Sequence, residues 1–480
     1  MNTSACAALV LALASAGCSR AQSNASAAAA IAGRSPGAIA RAALSATGMV
    51  SEVLCSEVFV GGLDPEAVMA ETIAPTPGVK LVLPMLHADV DRAAMRVTVT
   101  LAGASRQTAI YHAGYGCQLE DGPLTDASQL TPPATAPAPA RSDDIAGPGV
   151  VQTDDPRLAA ALDRAFAEPA EGPRRHVKAV VVVYRGRIIA ERYAPGFGPE
   201  TPMLSWSLAK SVTNALTGVL VRKGRLSLGE PAPIAAWRAA GDARGAITIE
   251  NLMRMNTGLD LDETNTGFDA NSRMMFTEGD MSGYAEQARL VAPVGTRWHY
   301  SSPTTLILDR VIRDQAGENA ASVDAFARRE LFAPLGMRNV TVEFDRAGDP
   351  VGAMSIYASP RDWARFGLLY ANDGVAGGRR LLPERWVDYS ASPTAGSDEG
   401  YAAGFFTARG DARDARSRRA GGMAADAFIA SGSLGQRIVI EPKEQLVIVR
   451  FERSEDWPNF DAQGILRLVA DVHAALGIKG

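Results

Sequence analysis

Between residues 176 and 194 the chain reads HVKAVVVVYRGRIIAERYA, two apolar, β-branched runs separated by Arg185-Gly186. Such runs around a two-residue turn predict a β-hairpin. The period then changes. Residues 207–224, SLAKSVTNALTGVLVRKG, are apolar on nearly every side and stop at Gly224, which predicts an interior helix. Residues 426–453, DAFIASGSLGQRIVIEPKEQLVIVRFER, predict three short strands, and ILRLVADVHAALG at 465–477 predicts a closing helix. Strands at both ends of a long, mostly helical middle predict one antiparallel sheet assembled from distant segments and flanked by helices. That is an α+β fold with a helical subdomain inserted.

Upstream, the segments 80–90, 94–103 and 106–114 predict three strands of a small N-terminal α/β unit. Residues 22–48 are alanine-rich and are expected to begin as a flexible tail. LTPPATAPAPARSDD at 130–144 has almost no large apolar side chains and is expected as a semi-extended linker. The expected boundaries are 1–24 for a signal peptide, 25–128 for the N-terminal unit, 129–150 for the linker and 151–480 for the main domain. The apolar stretch from Ala5 to Ala16 is too short to span a bilayer and is followed by small residues, as in a secretory signal. Cleavage falls either near Ala21 or before Cys18, where a lipid anchor would be attached. The chain is therefore expected to be exported, periplasmic or secreted, either free or tethered to a membrane through Cys18. Outside the signal only Cys55 and Cys117 remain, which in an oxidising compartment form a disulfide or are two separate buried thiols.

Composition changes this picture in two ways. The 480 residues carry a net charge of −5, which argues against a nucleic-acid partner. The five histidines (His87, His112, His176, His299 and His473) show no metal-ligand spacing, so no metal or other cofactor is expected. Lysine is rare, six of 48 basic residues, yet Lys210 stands three positions after Ser207 in the most apolar helix. Residues i and i+3 share a helix face, and Asn214 at i+7 lies near the same stripe. A lysine in that setting loses hydration, its pKa falls, and the neutral amine can take a proton from a neighbouring hydroxyl. A serine at the helix start also offers a backbone N–H with no intrahelical partner, suited to an oxyanion. The competing possibility is a serine N-cap with a lysine that snorkels to the surface. A second nucleophile pattern, Gly33-Arg34-Ser35-Pro36-Gly37, is preceded by an alanine-rich stretch where a nucleophile elbow needs a strand, and Pro36 follows its serine.

S-x-x-K opening a buried helix resembles penicillin-binding proteins and serine β-lactamases. SWSLAKSVTNALTGVLVRKGRLSL, with NLMRMNTGLDLDE (251–263) and SPRDWARFGLLYANDG (359–374), resembles the class C β-lactamase-related esterases and amidases, and the 6-aminohexanoate-dimer hydrolase group in particular. The resemblance spans about residues 150–475 and implies a β-lactamase/transpeptidase-like fold. It implies Ser207 as nucleophile, Lys210 as base and Tyr300, in Tyr300-Ser301-Ser302, as proton relay, with His299 structural. Ser302 stands where the family has Asn. Ala430-Ser431-Gly432-Ser433 stands where the family has Lys-Thr-Gly and a small residue, so Ser433 N–H would complete the oxyanion hole with Ser207 N–H. Asn214, Ser302, Ser431 and Gly432 would line the substrate, with Gly432 letting it approach the backbone. Ala430 removes the cation that holds the carboxylate of penicillins, and Arg437 is the substitute within reach along the sequence. The expected activity is hydrolysis of a small ester or amide. A non-catalytic binding or sensor protein and a D-amino-acid peptidase acting on cell-wall peptides are the alternatives. The oligomeric state is unknown from the sequence.

Overall fold

The start of the alanine-rich stretch 22–48, expected as a tail, lies outside the described residues, and from Pro36 the stretch is helical: α1 runs Pro36–Phe59. Ser35 caps it by accepting from Ala38 N–H at 3.3 Å, with Pro36 in the first turn, so the Gly33–Gly37 serine has an ordinary capping role. Alanine favours the helix, and one face of it is buried. The computed structural model describes residues 34–80, 82–103, 105–120, 145–264 and 267–478. The expected signal segment, Cys18 and residues 130–144 lie outside them.

Helix α1 packs on a four-stranded antiparallel sheet, β1 (Leu86–Asp91), β2 (Arg96–Leu101), β3 (Ser105–His112) and β4 (Gly116–Leu119), in sequential order. The sheet has one strand more than expected, because the short β4 follows a turn too close to β3 to stand out in the sequence. Val50, Val53, Leu54, Val97, Val99 and Ala109 form its core. A disulfide joins Cys55 on α1 to Cys117 on β4, with a Cα–Cα distance of 6.0 Å. Closing the 62-residue separation constrains the unfolded chain and is worth about 4 kcal/mol.

Residues 145–151 run along the main sheet, with Ile145 accepting from Ile188 N–H and Val151 N–H donating to Glu191. Helix α2 (Pro156–Phe166) precedes the hairpin β5 (Ala179–Tyr184) and β6 (Arg187–Tyr193), whose turn places Arg185 and Gly186 at positive φ. Helix α3 (Ala209–Arg222) follows, then α4 (Ala270–Thr277), α5 (Ser302–Ala316) and α6 (Pro360–Ala371). The chain closes with β7 (Phe406–Thr407), β8 (Phe428–Gly432), β9 (Gln436–Glu441), β10 (Leu446–Phe451) and α7 (Ala462–Leu476). The antiparallel sheet has the order β7-β8-β9-β10-β5-β6, so the two ends of the domain meet at β10–β5. Val181, Val183, Ala430, Ile438 and Val449 face α3 and α6, whereas Val180, Val182, Ile429, Val439 and Ile448 face α2 and α7. The period-2 alternation thus fills both faces, as a sheet covered on both sides requires.

The N-terminal unit is joined to the main domain through buried polar groups. Glu343 accepts from Ser56 Oγ at 2.6 Å and Cys117 N–H at 2.8 Å, and Gly116, at φ +75°, leaves room for it. Glu57 pairs with Arg453, and Glu71 with Lys178 at 2.7 Å. Burial pushes the Glu343 carboxyl up to about 7 from an ordinary value near 4.5. The folded state therefore holds a proton that the unfolded chain releases between about 4.5 and about 7, so this group's contribution to stability is lost as pH rises through that window. Glu343→Gln keeps the acceptor without the charge. Urea unfolding should show the variant equal to wild type below pH 4.5 and more stable by roughly 3 kcal/mol at pH 8.

Candidate active site

The residue before Ser207 sets its position. Trp206 has φ of +47°, a left-handed conformation that is strained for a bulky side chain, and Trp206–Leu208 form a 3-10 turn leading into α3. Ser207 thus lies in the turn before the α-helix, not in its first turn. It is half-buried, whereas Lys210, one residue into α3, is 3% exposed.

Lys210 Nζ has three oxygen neighbours: Ser207 Oγ at 3.0 Å, Ser302 Oγ at 2.9 Å and Ala353 O at 2.9 Å. Two of them fix its lone pair. Ala353 O can only accept. Ser302 spends its own proton on Glu263 Oε1 at 2.7 Å, so its oxygen also accepts from the lysine. A neutral Lys210 therefore commits both N–H bonds to these two oxygens and turns its lone pair toward Ser207 Oγ. Burial pushes the Lys210 ammonium down to about 8, against the opposing pull of Glu263 and Asp309.

Tyr300 completes the cluster. Its phenol lies beside the Ser207 side chain, and its ring lies 5.0 Å from Lys210 Nζ. The ring stacks on Phe406 at 6.0 Å and meets Tyr401 edge-on at 5.6 Å. Burial, then the charge of Glu263, pushes the phenol well above its ordinary value, so it is a neutral O–H that can donate and not a phenolate. Ser302 starts α5, where Ser301 is the N-cap, and its N–H also donates to Glu263.

Strand β8 lies alongside the nucleophile turn. A Cβ on Gly432 would stand 2.2 Å from Ser205 O and 3.2 Å from Leu208 N. Glycine is thus required there by chain packing against the turn, a different reason from the substrate approach expected of it. The contact sets the strand end against the turn that carries Ser207, with Ser433 next along the chain.

Four other sequence expectations change. Asn214 is 1% exposed, and its side chain holds Ser390, Ala403 O, Tyr370 and Trp386 together, so it is a core hub and does not line a cleft. Ala430 faces α3, and strand alternation turns Ser431 with its cross-strand partner Arg437 to the opposite face. Arg437 donates to Gly432 O at 2.6 Å and Gln436 O at 2.8 Å, so its guanidinium is spent on the strand turn and does not replace the missing lysine. Ser302 is 5% exposed and engaged by Lys210 and Glu263, which makes it a lysine partner and not an open substrate contact. His299 is exposed, and its backbone N–H donates to Met255 O at 2.9 Å. Among the described residues, one carboxylate group has metal-ligand spacing, Asp280, Asp345 and Asp349. Arg310 pairs with Asp280 and Asp349, and Arg313 with Asp349, so cations of the chain already occupy it.

Glu263, Ala353 O and the Tyr401–Phe406 aromatic wall were not legible in the sequence as site groups. Glu263 ends the segment 251–263, whose composition gave no hint that its carboxylate reaches α5. A backbone carbonyl carries no signature at all.

This serine–lysine–tyrosine constellation, beside an antiparallel sheet with helices on both faces, defines the serine β-lactamase class of fold. The family description Beta-lactamase matches residues 162–472, more than half the chain, and the protein belongs to that family. A 6-aminohexanoate-dimer hydrolase of Paenarthrobacter ureafaciens is 24% identical over 299 residues, covering 59% of this chain and 74% of that protein. A penicillin-binding protein homologue from Caulobacter crescentus superposes with a TM-score of 0.51 at 18% identity, covering 68% of this chain and 99% of its own. EstCE1, a hydrolase with promiscuous acyltransferase activity, gives 0.53 at 16% identity, covering 66% and 99%. These structural likenesses concern the fold.

Proposed function

We propose that the chain is a serine hydrolase that cleaves small esters or amides through an acyl-enzyme on Ser207. The observation that carries this is the Lys210 lone pair, aimed at Ser207 Oγ by Ala353 O and Ser302. Neutral Lys210 takes the Ser207 proton as Oγ bonds to the acyl carbon. The oxyanion that forms is held by the backbone N–H groups of Ser207 and Ser433. The carbon–heteroatom bond then breaks. The departing alkoxide or amine takes the Tyr300 proton, which Lys210 replaces. Water repeats the sequence in reverse and frees the acid. Export to an oxidising compartment is part of the same proposal, and the Cys55–Cys117 disulfide supports it. Ala430 and the engaged Arg437 favour an uncharged acyl group over a penicillin, whose carboxylate would find no free cation on this strand.

The test is turnover of a short-chain chromogenic ester, with a fluorophosphonate adduct mapped to Ser207 by mass spectrometry. A chain that shows neither turnover nor adduct, yet is labelled by penicillin, is a binder, and the proposal fails. The pH profile adds a second check. Lys210 is a base only once it loses its proton, so kcat/KM should rise with pH along a limb centred near 8. A flat profile from mildly acid to alkaline pH removes Lys210 from the base role.

A further inference from the structure

We propose that the N-terminal unit, residues 34–120, is a positioning element of the active site; this rests on the acyl-transfer function above. The family match begins at residue 162, so the unit lies outside the shared scaffold. It nevertheless touches that scaffold at two places next to the chemistry.

The first is the neighbourhood of Glu263, the carboxylate that accepts from Ser302, where residues 267–269 and α4 pack on the unit. α1 lies against α4 near its C-terminal end, and residues 34 and 42 lie against residues 268 and 267 just before α4 begins. A Cβ on Gly48 of α1 would stand 2.3 Å from Phe276 O on α4, so helix and helix meet there with no room for a side chain. Arg34 lies over the Phe268 ring at 5.1 Å, and Gly267 faces Ala42. The second place is the nucleophile turn. Trp206 packs on the apolar core of the N-terminal unit. Trp206 and Leu434 line one cavity together with Glu57, Leu63 and Thr72 of the unit. Both are left-handed, at φ +47° and +58°, and each adjoins a proposed oxyanion donor, Ser207 or Ser433. Such conformations are strained and persist only where the surroundings hold them. The disulfide and the Glu57–Arg453 pair stiffen that surrounding.

Glu263 raises the Lys210 pKa by its charge, which gives a readout that loss of fold alone would not imitate. Glu263→Gln should move the acid limb of kcat/KM to lower pH by about one unit. Gly48→Ala, which pries α1 from Phe276, should move it in the same direction and lower kcat roughly tenfold. Gly48→Ala with Glu263→Gln should move the limb no further than Glu263→Gln alone. A folded Gly48→Ala enzyme with the wild-type limb, or limb shifts that add in the double variant, overturns the proposal. Should Gly48→Ala fail to fold, Leu63→Ala tests the second contact. There kcat should fall several-fold with KM unchanged, and an unchanged kcat overturns the proposal. A wild-type chain with neither turnover nor adduct would instead sink the hydrolase function before these variants are compared.

Discussion

Replacing Ser207 by Ala, or Lys210 by Met, should lower ester turnover by at least ~10³-fold, since members of a nucleophile–base unit fail together. The double variant should be hardly worse than either single one. Lys210→Met separates chemistry from folding because it keeps the apolar stem and removes the amine. Holding Lys210 near 8 instead of its ordinary 10.5 costs the folded state roughly 3 kcal/mol at neutral pH. The sign follows from proton binding. Between about 8 and 10.5 the unfolded chain holds the proton and the folded one does not, so stability rises with pH there, and below about 8 the cost is present in full. Removing the amine relieves that cost but leaves Ala353 O and Ser302 Oγ without a donor, an opposing loss of about 1–3 kcal/mol. Urea unfolding at pH 7 should therefore place Lys210→Met within a few kcal/mol of wild type while activity is gone. An enzyme that retained a tenth of its turnover would remove Lys210 from the mechanism.

Tyr300→Phe should cost about 10²-fold in kcat, with KM little changed. The substitution keeps the ring packed on Phe406 and Tyr401 and deletes only the O–H. Burial leaves that phenol neutral, so what is lost is a donor to the leaving group. The loss should grow as the leaving group becomes more basic. An anilide or alkyl amide should suffer far more than a nitrophenyl ester carrying the same acyl group, because nitrophenolate departs without a proton. Equal losses for the two substrates would assign Tyr300 to binding or packing instead. Comparing kcat for such a pair, wild type against variant, decides the matter.

Local pattern carried much of the fold. The β5–β6 hairpin, the three C-terminal strands and α7 follow from runs of Val and Ile with period 2, a positive-φ turn and a 3.6-residue stripe. The start of α1 at Pro36, signalled by the capping Ser35 and Pro36, was not read from the alanine-rich composition of 22–48. The arrangement around Lys210 was legible only in part. Ser207 and Lys210 are three residues apart, and helical geometry brings them together. Glu263, Ala353 and Gly432 come from segments far apart in the chain and meet only through the packing of α3, α5 and β8.

By itself, the sequence determined the layered α+β architecture and a lysine placed where it must shed its hydration, whereas the choice between a Cys55–Cys117 disulfide and two separate thiols was settled by the fold. Spacing within one element suffices for those, because backbone periodicity is local. Tertiary structure alone decided that Asn214 is a core hub, that Arg437 is spent on its own strand turn, and that a carboxylate orients the hydroxyl beside the lysine. Which way a polar side chain turns depends on partners that long-range packing brings within about 3 Å, the reach of a hydrogen bond, and no local pattern encodes that distance.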